Sequence, residues 1–223
     1  MTSPARCSVL WNQTQDILKN GVPGCFVECG VWRGGSAALM ALAVCKSGES
    51  RDLHLFDSFE GLPEPTEDDG AAAIAYSGGR VSGVLKSLDK CIASLDEVRE
   101  LLLDDIGFDP SRVHFHKGWF QNTVPFVSPN LGPIALLRLD GDWYESTKCC
   151  LEQLYDLVVP GGFVILDDYG YWEGCRRASD EFFDLRKARP VLTPVDGEGF
   201  FFRKGSRPQR SAGEGFPLRQ EQS

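Results

Sequence analysis

The chain has 223 residues, 42% of them hydrophobic and 25% charged, which suits one α/β domain with a full core. Lysine and arginine number 23 against 32 aspartates and glutamates, a formal charge of −9, and no basic block precedes the tail, so nucleic acid is not an expected partner. No apolar run is long enough to span a bilayer and no secretory leader pattern opens the sequence, so a cytoplasmic protein without membrane contact is expected.

In chain order, residues 5–20 place Leu10, Trp11, Ile17 and Leu18 at loosely helical spacing before the breaker Gly21-Val22-Pro23-Gly24. They read as a short helix packing outside the core, within a segment 1–24 that precedes the main domain, 25–204. Cys25 to Cys29 reads as the first strand, followed by a glycine turn, Gly30-Val31-Trp32-Arg33-Gly34-Gly35-Ser36, and a helix to about Lys46. Gly30 permits a sharp bend after the strand, and Gly34 lets main-chain N–H groups approach a ligand at the helix N-terminus. The spacing is not the Gly-x-Gly-x-x-Gly that wraps a dinucleotide pyrophosphate, and an acid ahead of the turn would repel one. Glu28 instead suits the amine of a methionine moiety, and Ser36 its carboxylate, which favours S-adenosylmethionine over a nicotinamide cofactor.

Leu53 to Asp57 reads as a second strand, and Asp57 at its carboxyl end is placed to accept ribose hydroxyls; a turn aspartate is the plainer alternative. Residues 58–83 lack periodicity and read as a lid over cofactor and acceptor. Leu88, Ile92, Leu95, Val98, Leu101 and Leu102 trace one stripe of a helix over 85–105. The third strand, Val113 to His116, leads into Lys117-Gly118-Trp119-Phe120, where Gly118 and Trp119 suit the edge of an adenine ring, although aromatics there serve a core equally well. His114 and His116 share a face of that strand and read as structural.

Strands at Ile134–Leu139 and Phe163–Leu166 end in acids, Asp140 with Asp142 and the pair Asp167-Asp168, separated by a helix over 146–157 that Pro160-Gly161-Gly162 stops. A helix over 173–187 and two last strands around Asp196-Gly197-Glu198 complete seven strands, and 205–223 reads as a disordered tail. The fold expected is a doubly wound, mostly parallel sheet, with neighbouring strand ends bringing Asp140, Asp167 and Asp168 together. Crowded carboxylates without a basic partner call for a cation, and all-oxygen ligands suit Mg²⁺. Asp140 is the first candidate for general base as well as ligand, with Asp142 or a histidine behind it. The eight cysteines include no Cys-x-x-Cys, and Cys25 and Cys29 would lie about 13 Å apart on one strand, so free thiols are expected.

With these residues assembled, the sequence resembles the macrocin O-methyltransferase family, which methylates sugar hydroxyls of macrolide and aminocoumarin antibiotics. The resemblance runs from about Gly24 to Arg203 through five blocks in order: Val27 to Ser36, Phe56 to Pro63, Lys117 to Phe120, Leu139 to Ser146 and Pro160 to Tyr169. It implies a class I methyltransferase fold, S-adenosylmethionine as methyl donor, Mg²⁺ held by Asp140, Asp167 and Asp168, and a base at Asp140. The cofactor contacts then expected are Glu28, Gly30, Gly34, Ser36, Asp57, Ser58, Gly118, Trp119 and Asp140. The partner is a small-molecule hydroxyl acceptor, and a homo-oligomer is left open, since family members carry a longer segment before the first strand. A weaker similarity to catechol O-methyltransferase covers the same turn and acids. The competing functions are a phenol O-methyltransferase, a nicotinamide-dependent oxidoreductase and a silent cofactor-binding domain.

Overall fold

Largely apolar strands need cover on both faces, and two of them, each with a single charge, are buried at every position: β1 (Cys25–Cys29) and Ile134–Leu139. The computed structural model describes residues 2–205. Along the chain it builds α1 (Pro4–Lys19), β1, α2 (Gly35–Ser47), β2 (Leu53–Asp57), α3 (Gly70–Tyr76), α4 (Leu95–Arg99), β3 (Val113–Lys117), α5 (Phe120–Val127), β4 (Ile134–Leu139), α6 (Tyr144–Leu154), β5 (Val158–Leu166), α7 (Glu173–Leu185), β6 (Thr193–Pro194) and β7 (Phe200–Arg203). The sheet order is β3-β2-β1-β4-β5-β7-β6, with the first five strands parallel and β7 antiparallel to both its neighbours. Strand order reverses between β1 and β4, which puts the ligand crevice at their carboxyl ends.

One face of the sheet packs Phe26, Leu55, Leu136 and Ile165 under Ile17, Met40 and Val98, and the other packs Val27, Leu137 and Val164 under Leu151, Phe182 and Phe183. Helix α1 therefore does not lie outside the core, as its loose periodicity suggested. Its Leu10, Ile17 and Leu18 are buried, and the helix is started by Ser3, whose Oγ accepts from Arg6 N, with Pro4 in the first turn.

The helix expected over 85–105 forms only from Leu95, running through α4 into a wider turn of helix at Glu100–Asp105. Ser94 starts it in a capping box with Glu97, and upstream Asp89 and Cys91 hold φ of +58° and +56°, which no α-helix accommodates. Leu88 is buried from a loop, its N–H donating to Leu62 O, while Ile92 is exposed. Residues 58–83 are not featureless: they contain a 3₁₀ turn at Glu67–Asp69 and helix α3. Helix α5 was not anticipated, and β5 begins at Val158, so Pro160-Gly161-Gly162 lies inside an irregular strand. All eight cysteines are free. Among the described residues no helix is long and apolar enough to cross a membrane. The tail expected from 205 onward lies, from residue 206, outside the described residues.

All three histidines of the chain meet on one face of β2 and β3. His54 Nδ1 lies 3.1 Å from His116 Nε2, one ring donating and the other accepting, and His114 stacks on His54 at 4.4 Å. Burial first, and then the neighbouring imidazoles, lower the His54 and His116 pKa to about 4. A base whose folded pKa falls below its unfolded value of about 6.5 binds protons more readily in the unfolded chain, so stability is complete above that value and declines as pH falls toward 4. The melting temperature is expected to drop over that window, and His116→Gln to flatten the drop. A wild-type profile unchanged by this substitution would count against the assignment.

Candidate active site

A cavity of about 380 Å³ opens at the carboxyl ends of the parallel strands, within the size range of cofactor pockets. Gly30 comes from the end of β1, Asp57 and Ser58 from β2, Trp119, Phe120 and Gln121 from the start of α5, and Asp140, Asp142, Asp167 and Asp168 from the ends of β4 and β5. Thr2, Arg6, Leu62, Pro63, Tyr76, Cys91, Tyr171 and Trp172 also line it. Gly30 has φ +93°, and a Cβ there would sit 1.8 Å from Asp140 O, so only glycine lets the bend after β1 touch the acidic end of β4.

Asp57 holds that bend together. Its Oδ2 accepts from Val31 N at 2.7 Å and Trp32 N at 2.9 Å, and its Oδ1 accepts from Phe59 N at 2.7 Å. Ser58 donates to Gly61 O and so shapes the turn that follows. Of the cofactor contacts expected, Gly30, Asp57, Ser58, Trp119 and Asp140 line the cavity, whereas Glu28, Gly34, Ser36 and Gly118 do not. Gly34 backs onto Val98 and Leu101, Ser36 is buried in the first turn of α2, and Gly118 N donates to Asp57 O, joining the ends of β3 and β2.

Glu28 is fully buried and faces a partner that its own stretch of sequence does not announce. Register places it opposite Arg138 on β4, and Arg138 Nη1 donates to Glu28 Oε1 at 2.8 Å. The same guanidinium reaches Asp140 Oδ2 at 2.8 Å and Asp167 Oδ1 at 2.9 Å. Burial drives the Glu28 carboxyl up to about 8 against the pull of Arg138. Burial opposes the charge on Arg138, but Asp167, Asp140 and Glu28 together hold it firmly protonated. Glu28 Oε1 is thus paired within the sheet and the residue does not line the cavity, while its buried Oε2 has no hydrogen-bond partner among the described residues.

Asp167 is held from two sides, by Arg138 at Oδ1 and by Arg6 Nη1 at Oδ2, 2.7 Å away. Arg6 in turn pairs with Asp196 and Glu198, so it brings no spare positive charge to the cavity. The carboxylates that converge are Asp140, Asp142 and Asp168, each offering an oxygen within 4.8 Å of the others. Asp142 joins this group because its backbone turns left-handed at φ +55° and its N–H donates to Asp168 Oδ2 at 3.1 Å, while Asp167 lines the same cavity with its oxygens on the two arginines.

Burial raises the pKa of all three of these acids and the Asp167 carboxylate beside them adds to it, against the pull of Arg138 on Asp140; Asp142 reaches about 7 and Asp168 lies well above the usual carboxylate range. In this crowded group, where only Asp140 touches an arginine, the oxygens of Asp140 and Asp168 are donors that fit a hard divalent cation. Sequence reasoning overlooked Arg138 and Trp172. The first was visible as a lone charge in Leu136-Leu137-Arg138-Leu139, whereas nothing local marks the second.

A doubly wound sheet in this order, with a cofactor-sized cavity at its strand ends, is the architecture of class I O-methyltransferases. The solved O-methyltransferase NovP shares the architecture, with a TM-score of 0.74 and 32% identity over 91% of this chain and 80% of that one. The chain belongs to the macrocin-O-methyltransferase (TylF) family, whose profile matches residues 1–204. It is 38% identical over 199 residues, 88% of this chain and 72% of the relative, to the 8-demethyl-8-(2,3-dimethoxy-alpha-L-rhamnosyl)-tetracenomycin-C 4'-O-methyltransferase of Streptomyces olivaceus. It is 36% identical to the demethyldecarbamoylnovobiocin O-methyltransferase of Streptomyces niveus, over 85% of this chain and 70% of that protein. The oxidoreductase and silent-domain readings give way to this membership.

Proposed function

We propose that the chain transfers the methyl group of S-adenosylmethionine to a sugar hydroxyl of a glycosylated natural product, with Mg²⁺ held by Asp140 and Asp168 and with Asp142 receiving the hydroxyl proton. The observation that carries this reading is the convergence of Asp140, Asp142 and Asp168 beside the Gly30 bend. The relatives' names supply the acceptor class, since the S. olivaceus enzyme is named for a rhamnosylated tetracenomycin.

Bound at these oxygens, the cation would lower the pKa of the acceptor hydroxyl and hold it in place. Asp140 was the expected base, but the Arg138 guanidinium on its Oδ2 stabilises the carboxylate and weakens it as a proton acceptor. Asp142 carries no guanidinium, only the indole N–H of Trp172 on Oδ1 at 2.6 Å. Asp167 acts through its two arginines, fixing the end of β5 so that Asp168 keeps its aim. As the acceptor oxygen attacks the methyl carbon, the carbon–sulfur bond breaks, the proton passes to Asp142 and S-adenosylhomocysteine leaves; alignment of these atoms supplies much of the rate.

Labelled methyl transfer to 4-nitrophenyl α-L-rhamnoside and to a vicinal phenol, each with and without EDTA, tests the reading. Turnover of the glycoside is expected to vanish with EDTA and return with Mg²⁺, while calorimetry finds S-adenosylhomocysteine affinity changed less than about tenfold by EDTA. Turnover indifferent to EDTA would remove the metal from the reading, and turnover of the phenol alone would move the acceptor to the catechol type.

A further inference from the structure

The segment from Gly61 to Cys91 stands over the cavity and is tied to the loop that carries the acids. Trp143 Nε1 donates to Pro63 O at 2.9 Å, and buried Asp69 accepts from Tyr144 N, the first residue of α6. Helix α6 has no side-chain cap of its own, so Asp69 caps it from a distant part of the chain. Between this segment and the acids lies a small core of its own, made of Ala73, Leu88, Trp143, Trp172 and Cys175.

Trp172 occupies the junction. Its ring meets Trp143 edge-on at 4.9 Å and Tyr76 of α3 at 5.5 Å, and its Nε1 donates to Asp142 Oδ1. Packing alone accounts for the ring, since a buried phenylalanine would fill similar space. It does not account for the N–H, which is spent on one carboxylate oxygen inside an acid cluster. That carboxylate stands on a left-handed backbone, and among the described residues the Trp172 indole is the donor to its side chain, at Oδ1. A single donor on Oδ1 therefore decides how Oδ2 is presented.

We propose that Trp172 is a positioning residue for methyl transfer: its indole N–H orients Asp142 toward the acceptor hydroxyl, and its ring links that orientation to Tyr76 on the segment covering the cavity. The proposal rests on the reading of Asp142 as proton acceptor. Trp172→Phe removes the donor and keeps an aromatic ring, whereas Asp142→Asn removes the base and keeps an acceptor for the indole. The two therefore separate orientation from chemistry.

The test is a double-mutant cycle on the full chain with 4-nitrophenyl α-L-rhamnoside as acceptor. Trp172→Phe is expected to lower kcat about 100-fold, with KM for donor and acceptor changed less than about threefold. Asp142→Asn should lower kcat at least as far, and the double variant no further than Asp142→Asn alone. If Asp142→Asn keeps wild-type kcat, the base reading fails and this proposal with it. If Asp142→Asn is impaired while Trp172→Phe is silent, or the two losses multiply, the base reading stands and the proposal is overturned.

A second measurement needs neither an acceptor nor a folded Trp172 variant. In ¹⁵N-labelled protein, Asp142→Asn should move the Trp172 indole N–H resonance upfield, as a charge-assisted hydrogen bond becomes a neutral one, and leave those of Trp11, Trp32 and Trp119 in place. An unmoved Trp172 resonance overturns the proposal.

Discussion

Asp142→Asn is expected to lower kcat by roughly 10²- to 10⁴-fold, the range of a positioned general base, while S-adenosylhomocysteine still binds. An amide cannot take the hydroxyl proton, yet its oxygen still accepts the Trp172 indole and its main-chain N–H still donates to Asp168. The fold should therefore survive, and removing one of several like charges favours it. Rapid-quench single-turnover assays isolate the chemical step. A single-turnover rate equal to wild type would return the role of base to Asp140, and Asp140→Asn in the same assay would show it.

The second large effect concerns stability. Arg138→Met is expected to destabilise the protein by about 3–5 kcal/mol, because one guanidinium compensates three acids and its loss leaves buried charge without a partner. Arg138→Lys should recover little of this, since an ammonium is a point charge and cannot span Glu28, Asp140 and Asp167 with a planar fork. Adding Glu28→Gln to Arg138→Met should restore part of the loss by removing the acid that is most deeply buried. Urea unfolding measures all three. An Arg138→Met variant within 1 kcal/mol of wild type would show the network to be dispensable.

The strands were legible because each is an apolar run ended by a turn or an acid, and β1, β2 and β4 fall where those runs lie. The glycine bend was legible too, since Gly30 makes the close contact that its place after a strand implies. Partners across the sheet were not. Glu28 was read toward a methionine amine from its place two residues before Gly30, and only the pairing of β1 with β4 shows Arg138 opposite it. Asp142 joining the group while Asp167 turns to its arginines is a similar case, set by one left-handed residue and two arginines remote in sequence. The stripe over 85–94 failed for the opposite reason, having the right apolar spacing but left-handed residues at Asp89 and Cys91.

The contact between Gly30 and Asp140 leaves the glycine bend and the acid cluster with no slack between them. Anyone adapting this enzyme to carry ethyl or allyl sulfonium donors thus has nothing to trim at the bend, where a single added carbon collides with main chain. Extra room has to be sought elsewhere in the lining, as at Leu62, Pro63 and Tyr76.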